Sequence, residues 1–389
     1  MKTRNMSTTW LAGRRWTRPG MAALSALMLL GGLLGGCASD KPKPAALEAV
    51  KPEIAGREVW RARVDSVQFT LAVQARGGAF IAAGSDGTVL ALVAPTGREL
   101  WRGTVGGRIS AGVGSDGRYA AAVTRDNELV VLDKGAPLWR ARLDSSVTTA
   151  PLVAGERVFV VGVDRVVHAF DALDGRRLWR FQRSGGEALT LAQPAVLAAY
   201  KNTLLVGQGA TLVGLEPTLG TVRFEVALTP ARGTNEVERL NDLAGPLLRV
   251  GDSVCARAFQ TAVGCIDLNS NSLRWSRIAG GQQAVGGDAD YVFGADSSDR
   301  ISAWRASSGE LAWNNERLLY RNLSAPLSAG RTVIFGDLEG QVHFLSREDG
   351  KTLLRLPTDG SPVVGQPVLS GTTILVATRN GALVAFRPE

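Results

Sequence analysis

An all-β fold is predicted, an eight-bladed β-propeller with four antiparallel strands per blade, and two periodicities predict it. The first is a large apolar residue near the end of a recurring unit: Trp60, Trp101, Trp139, Trp179, Phe224, Trp275, Trp313 and Leu354. Most of these are spaced close to about 40 residues apart, the period of a four-stranded blade. The second is an upstream strand that ends in step with the first, at Leu92, Leu132, Phe170, Leu215, Ile266, Trp304, Leu345 and Phe386. Each landmark counts eight. A third observation concerns closure. Gly56 to Trp60 (G-R-E-V-W) nearly repeats Gly97 to Trp101 (G-R-E-L-W) but has no strands before it, and the final unit, Arg379 to Phe386, stops before any such strand. The N-terminal strand is therefore expected to complete the last blade beside the C-terminal one, which removes two open sheet edges at once. On this reading, deleting 53–64 destabilises the ring and shortening 38–50 does not.

Within one unit the strands follow from alternation and turn residues. Thr149 to Ala154 reads as a short apolar strand, Gly155-Glu156 as a turn and Arg157 to Val163 as a second strand. Asp164-Arg165 turns into Val166 to Ala172, and Asp174-Gly175 into Arg177 to Gln182, which carries Trp179. A blade of this size cannot bury both faces alone, so it must stack on neighbours, and a ring satisfies the first and last as well. The Trp residues are expected between blades, with each indole N–H on a carbonyl.

The chain has 389 residues and a formal charge of +8. Lys2, Arg4, Arg14, Arg15 and Arg18 all precede Cys37 and no acid does, so the remainder carries +3 (8 less 5). That charge, with no Lys/Arg cluster interleaved with aromatics, argues against nucleic-acid binding. The basic stretch is followed by an apolar run, Met21 to Leu34, of signal-peptide length rather than membrane-span length. Leu34-Gly35-Gly36-Cys37 then matches the bacterial lipobox. The match implies a signal peptide over residues 1–36 and lipidation of Cys37, palmitate included. Arg14-Arg15 reads as part of an ordinary basic region rather than a twin-arginine element. Residues 37–52, with three Pro and mixed charge, read as a lipidated tether, and residues 53–389 as the propeller.

The unit Asp86-Gly87, Thr88 to Leu92, Thr96-Gly97 and Trp101 resembles the pyrroloquinoline-quinone-type propeller repeat. Eight such units behind a lipobox resemble the BamB family, the lipoproteins of the outer-membrane β-barrel assembly machinery. Ala38 stands where a retention Asp for the inner membrane would sit. The resemblance implies a non-enzymatic scaffold, anchored by lipid to the periplasmic face of the outer membrane, with no cofactor. It also implies binding to the POTRA domains of BamA and assistance to nascent outer-membrane proteins.

Quinone-dependent dehydrogenases of the periplasm share the repeat and form the alternative. They are typically longer and carry a vicinal Cys pair, Ca²⁺ and a catalytic Asp, whereas this chain has no adjacent Cys. His168 and His343 are the only histidines and fall in the third and seventh units, on opposite sides of an eight-membered ring. Joint metal ligation or a Ser-His-Asp site therefore has little raw material. Gly112 to Gly117 matches G-x-G-x-x-G, yet Arg118 to Thr124 reads as a strand, not the helix a dinucleotide needs, so Asp116-Gly117 is a hairpin turn. Lipidation of Cys37 leaves Cys255 and Cys265 in an oxidising compartment. A two-residue turn at Gln260-Thr261 puts their thiols on opposite faces, and a three-residue turn lets them bridge.

The longest separation, Phe224 to Trp275, holds an insertion from Thr229 to Gly245, in which Asn235 and Glu238 resemble a capping box. In the resembled family the matching E-x-x-R-L-x-D segment and a nearby L-x-L segment form the surface for the POTRA domains. The matching positions are Arg239, Leu240 and Asp242, with Leu189 and Leu191. Ala192 and Ala244 depart from the family pattern, which has Arg and Asp there. By alternation alone Leu189 and Leu191 also read as inward strand residues.

Overall fold

In the computed structural model of the chain, the described residues are 42–69, 72–184, 190–230 and 240–388. The chain divides into two units, and the second runs over residues 44–389. Within the second unit every regular element among the described residues is a strand. The strands make eight four-stranded antiparallel sheets, the blades of the expected propeller. Blade 1 runs from Gln74 to Thr104, blade 2 from Gly114 to Arg142, blade 3 from Leu152 to Phe181 and blade 4 from Leu197 to Ala227. Blade 5 runs from Leu243 to Ile278, blade 6 from Gly286 to Asn315 and blade 7 from Leu327 to Pro357. Blade 8 takes Val363–Ser370, Thr373–Thr378 and Ala382–Pro388 from the C-terminus and Gly56–Arg63 from the N-terminus. The closing strands are antiparallel, from Gly56 opposite Pro388 to Arg63 opposite Ala382.

Alternation explains what each strand buries. The second and third strands of a blade are sandwiched between neighbours and are largely buried and mostly apolar, as in Ala79–Ala83 and Thr88–Val93. Fourth strands lie at the rim and alternate, as in Glu99–Thr104, where only Trp101 and Gly103 are half-buried. First strands surround a central cavity of about 680 Å³, lined by small residues such as Ala72, Gly114, Ala150 and Gly365.

Each blade also carries a bulge before its landmark residue. In blade 1 Leu92 faces Glu99 and Ala91 faces Trp101, so Leu100 is the extra residue; blade 8 skips Val59 in the same way. The bulge turns the Trp inward from a rim strand. It then enters the next blade, where the Gly of the turn between the third and fourth strands leaves room. Trp60 lies on Gly97, Trp101 on Gly135, Trp139 on Gly175, Trp179 on Gly220, Trp275 on Gly309 and Trp313 on Gly350. Five of these indoles donate to a carbonyl of that next blade, among them Trp60 to Ala94 at 2.8 Å and Trp313 to Arg347 at 2.9 Å. The inter-blade position expected of the Trp residues is thus met, and the partner is three residues before the receiving Gly.

Two further features tie blades together. The fully buried Arg257 guanidinium donates to the carbonyls of Gln283, Ala279, Gly280 and Ala295, joining blade 5 to blade 6. Burial pushes its pKa down to about 10, so it remains a cation at neutral pH. Residues 45–53, which composition places within or beside the tether, run along blades 6 and 7. Ala45 N–H donates to Leu319 and Glu53 N–H to Leu353, both at 2.9 Å. Arg321 and Arg355 donate to the carbonyls of Ala45 and Glu48, and Leu47 packs against the core beside Trp313. Removing 44–50 would therefore take away real contacts, which the composition of the tether does not reveal, while leaving the closing strand Gly56–Arg63 in place. Backbone carbonyls captured by distant Arg side chains leave no local pattern to read.

Candidate protein-interaction surface

The two segments singled out in the sequence meet where blades 3, 4 and 5 adjoin. Asp242 immediately precedes the first strand of blade 5 and is nearly buried. Its Oδ2 accepts the Leu191 N–H at 2.9 Å, and its Oδ1 pairs with Arg165 Nη2 at 2.9 Å. Arg165 sits in the Asp164-Arg165 turn of blade 3 with a left-handed φ of 63°, which swings its side chain towards blade 4. The turn was legible in the sequence, whereas this use of Arg165 was not.

Around that carboxylate the chain is fastened at several points. Thr190 Oγ1 donates to the Val163 carbonyl at 2.9 Å and Thr148 Oγ1 to Gln193 at 3.2 Å. Ala195 N–H donates to Thr149 Oγ1 at 2.9 Å, and Gly245 N–H to Pro194 at 2.9 Å. An isolated bridge pairs Ala195 with Ala244. The departure of Ala244 from an acidic residue is consistent with this placement: it is buried against Ala195, where a carboxylate would lose its water. Leu191 and Leu240 are both half-buried. Leu189, Arg239, the Asn235 and Glu238 pair, and Cys37 lie outside the described residues.

Chemically the surface is a rigid, partly apolar ledge around an internally consumed ion pair. Both oxygens of Asp242 are engaged within the protein, so its part is to hold the backbone of Leu191 in place. Elsewhere, the two histidines occupy separate environments in blades 3 and 7. Burial lowers the pKa of His168, with nearby Arg177 adding to the effect. His343 is fully buried, with Nε2 2.9 Å from Asp337 Oδ2 and Nδ1 accepting from Arg355 at 3.3 Å. Burial lowers its pKa too, against the pull of Asp337. Among the described residues no group of three or more His, Cys, Asp or Glu is arranged to hold a metal. The glycine-rich stretch is a hairpin as read: Asp116 Oδ1 accepts from the N–H groups of Arg118 and Tyr119, and Tyr119–Val123 is a strand. Cys255 and Cys265 are bridged, because the turn has three residues, Phe259 to Thr261, and Cys255 lies opposite Cys265.

Together the ring and the Trp-in-Gly joints define a propeller of the pyrroloquinoline-quinone repeat type. Residues 85–315 match the family described as "Outer membrane protein assembly factor BamB". The chain belongs to the BamB family. It is 33% identical to the outer membrane protein assembly factor BamB of Burkholderia pseudomallei, over 97% of this chain and 99% of that one. It is 34% identical to the protein so named in Bordetella pertussis, over 96% and 99%. The crystal structure of BamB from Moraxella catarrhalis superposes with a TM-score of 0.77 at 22% identity, covering 86% of this chain and all of that one, a likeness of fold.

Proposed function

We propose that the chain is a non-enzymatic scaffold lipoprotein of the outer-membrane β-barrel assembly machinery. Its ledge around Leu191, Leu240 and Asp242, continued by Leu189 and Arg239, binds the POTRA domains of BamA and so assists folding and insertion of outer-membrane proteins. Lipidation at Cys37 holds it at the periplasmic face of the outer membrane. The observation that carries this reading is the hydrogen bond from Leu191 to Asp242: two segments about fifty residues apart in sequence, each matching a docking motif of the family, share one carboxylate. Family membership supports the role in assembly. A stiff ledge suits docking because few side chains lose freedom on binding. Rim strands such as Glu99–Thr104 and Gly56–Arg63 add exposed edges that suit transient pairing with nascent strands.

The test is co-purification of the intact, membrane-extracted protein under mild detergent. Recovery of BamA is expected. Recovery of no assembly component, together with dye-linked alcohol oxidation after addition of quinone and Ca²⁺, would favour the dehydrogenase alternative instead.

A further inference from the structure

The joint between blades 7 and 8 differs from its neighbours. At six joints a Trp from one blade lies on a Gly of the next. Here the receiving residue is Gly56, and what reaches it is Leu354, whose Cδ2 would lie 3.0 Å from a Cβ added there. Leu is the smallest side chain among the eight landmarks, and beside it a cavity of about 520 Å³ opens to the surface. Its walls are apolar, from Phe344, Leu356, Ile374 and Phe386, and at the mouth stands Leu369, 39% exposed.

The register identifies what the cavity replaces. In blade 1 Glu99 faces Leu92, and in blade 8 Glu58 faces Phe386. Pro388 therefore corresponds to Ala94, whose carbonyl accepts the Trp60 indole N–H, and Pro388 lines this cavity. Ile374 likewise corresponds to Phe80, which packs against Trp60 with ring centroids 6.2 Å apart. The cavity thus keeps the glycine, the carbonyl position and the apolar wall of an indole slot, without an indole from the described residues.

The rim adds charge. Arg331 and Arg387 stand on it, while Glu53, the one acid there among the described residues, is paired with Lys351. The Arg387 guanidinium donates through Nη2 to Pro95 and Thr373, yet its buried Nε has no hydrogen-bond partner. A buried donor left unpaired favours an occupant that brings an acceptor.

We infer that this cavity between blades 7 and 8 is a binding site for a large aromatic side chain, an indole above all, carried by another polypeptide with a carboxylate next to it. The aromatic ring fills the slot as Trp does at the other joints, its N–H reaches the Pro388 carbonyl, and the carboxylate meets the Arg387 and Arg331 rim. An aromatic anchor in a pre-formed pocket is the usual energetic centre of such contacts. The site lies in blades 7 and 8, away from the ledge of blades 3 to 5, and does not depend on the function assigned to that ledge.

The probe is the peptide acetyl-Thr-Trp-Asp-Thr-amide, titrated into the full mature protein and followed by NMR, with its Ala-for-Trp counterpart and octanoate as comparisons. Two variants are tested: Leu354→Trp, which fills the slot from within, and Leu369→Glu, which places a charge at the exposed mouth and spares the core. Saturable binding of the Trp peptide is expected, weakened about tenfold or more in each folded variant and by loss of the indole. No saturable binding to the wild type, unchanged binding in either folded variant, equal binding of the Ala peptide, or tighter binding of octanoate would each overturn the inference.

Discussion

The α-carbon of Gly97 lies beneath the indole of Trp60: a Cβ built on it would come within 2.6 Å of the ring, and its φ of 69° is already left-handed. Trp60 belongs to the closing strand of blade 8 and Gly97 to blade 1. The motif that repeats along the chain is therefore two halves of different joints, a Gly that receives the previous blade's ring and a Trp that enters the next.

Gly97→Ala tests that joint. The added methyl group meets both an unfavourable φ and a ring with nowhere to move, so a loss of about 3 kcal/mol is expected. Gly78→Ala is the control: its φ is 74° but nothing lies within 4 Å of the new Cβ, and about 1 kcal/mol is expected. Equal losses in denaturant unfolding would show that the indole contact contributes nothing.

Ring closure is tested by deletion. Removing 53–64 takes away the fourth strand of blade 8 and its pairing with Ala382–Pro388, and loss of the cooperative unfolding transition is expected. Removing 44–50 leaves the ring closed but frees Arg321 and Arg355 from their carbonyls and uncovers the site of Leu47. A lowered melting temperature with cooperativity intact is expected. A shortened chain lacking 53–64 that melts as cooperatively as the parent would rule out closure by this strand.

Acid should weaken the protein through blade 7. Burial favours the neutral form of His343, so its pKa is below the ordinary 6.5. Burial opposes ionisation of Asp337 as well, but hydrogen bonds from His343, the Gln341 N–H and Arg321 hold its pKa below 3.8. In both cases the unfolded chain binds the proton more readily, so stability is present above the unfolded pKa and falls as pH drops below it. His168 acts in the same direction. Thermal melts should show stability decreasing from pH 7 towards pH 5, and His343→Gln should flatten part of that slope. An unchanged slope in the variant would assign the dependence elsewhere.

The bridge between Cys255 and Cys265 closes a ten-residue separation within one hairpin. Neither thiol should react with alkylating reagent before reduction, and replacing both by Ser should cost about 2 kcal/mol. Full alkylation of both under native, non-reducing conditions would contradict the pairing.

Much of the fold was legible because blade construction is local. Hairpin turns, alternation and the Gly-x-x-x-Trp strand all lie within about 40 residues, and the stray copy at Gly56 revealed the closure. The number of residues in the Gln260 turn was not legible: a left-handed φ of 53° at Gln260 is supplied by a residue with no special preference for it, so both pairings of the cysteines stayed open. His343 was visible as a strand residue, but its buried chain to Asp337, Arg321 and Arg355 joins blade 7 to residues 45–48 across almost the whole sequence. At the ledge, the motifs around Leu191 and Asp242 were visible and Arg165 was not, because a turn residue gives no sign of which neighbour its side chain will reach.

The most direct measurement of the proposed docking is a calorimetric titration of the mature protein with the purified periplasmic POTRA domains of BamA, comparing wild type with Leu191→Glu. The half-buried Leu191 side chain can be replaced while its N–H still reaches Asp242, so the variant should fold with a similar melting temperature and bind about tenfold more weakly or worse. A folded Leu191→Glu protein with unchanged affinity would contradict docking through this ledge.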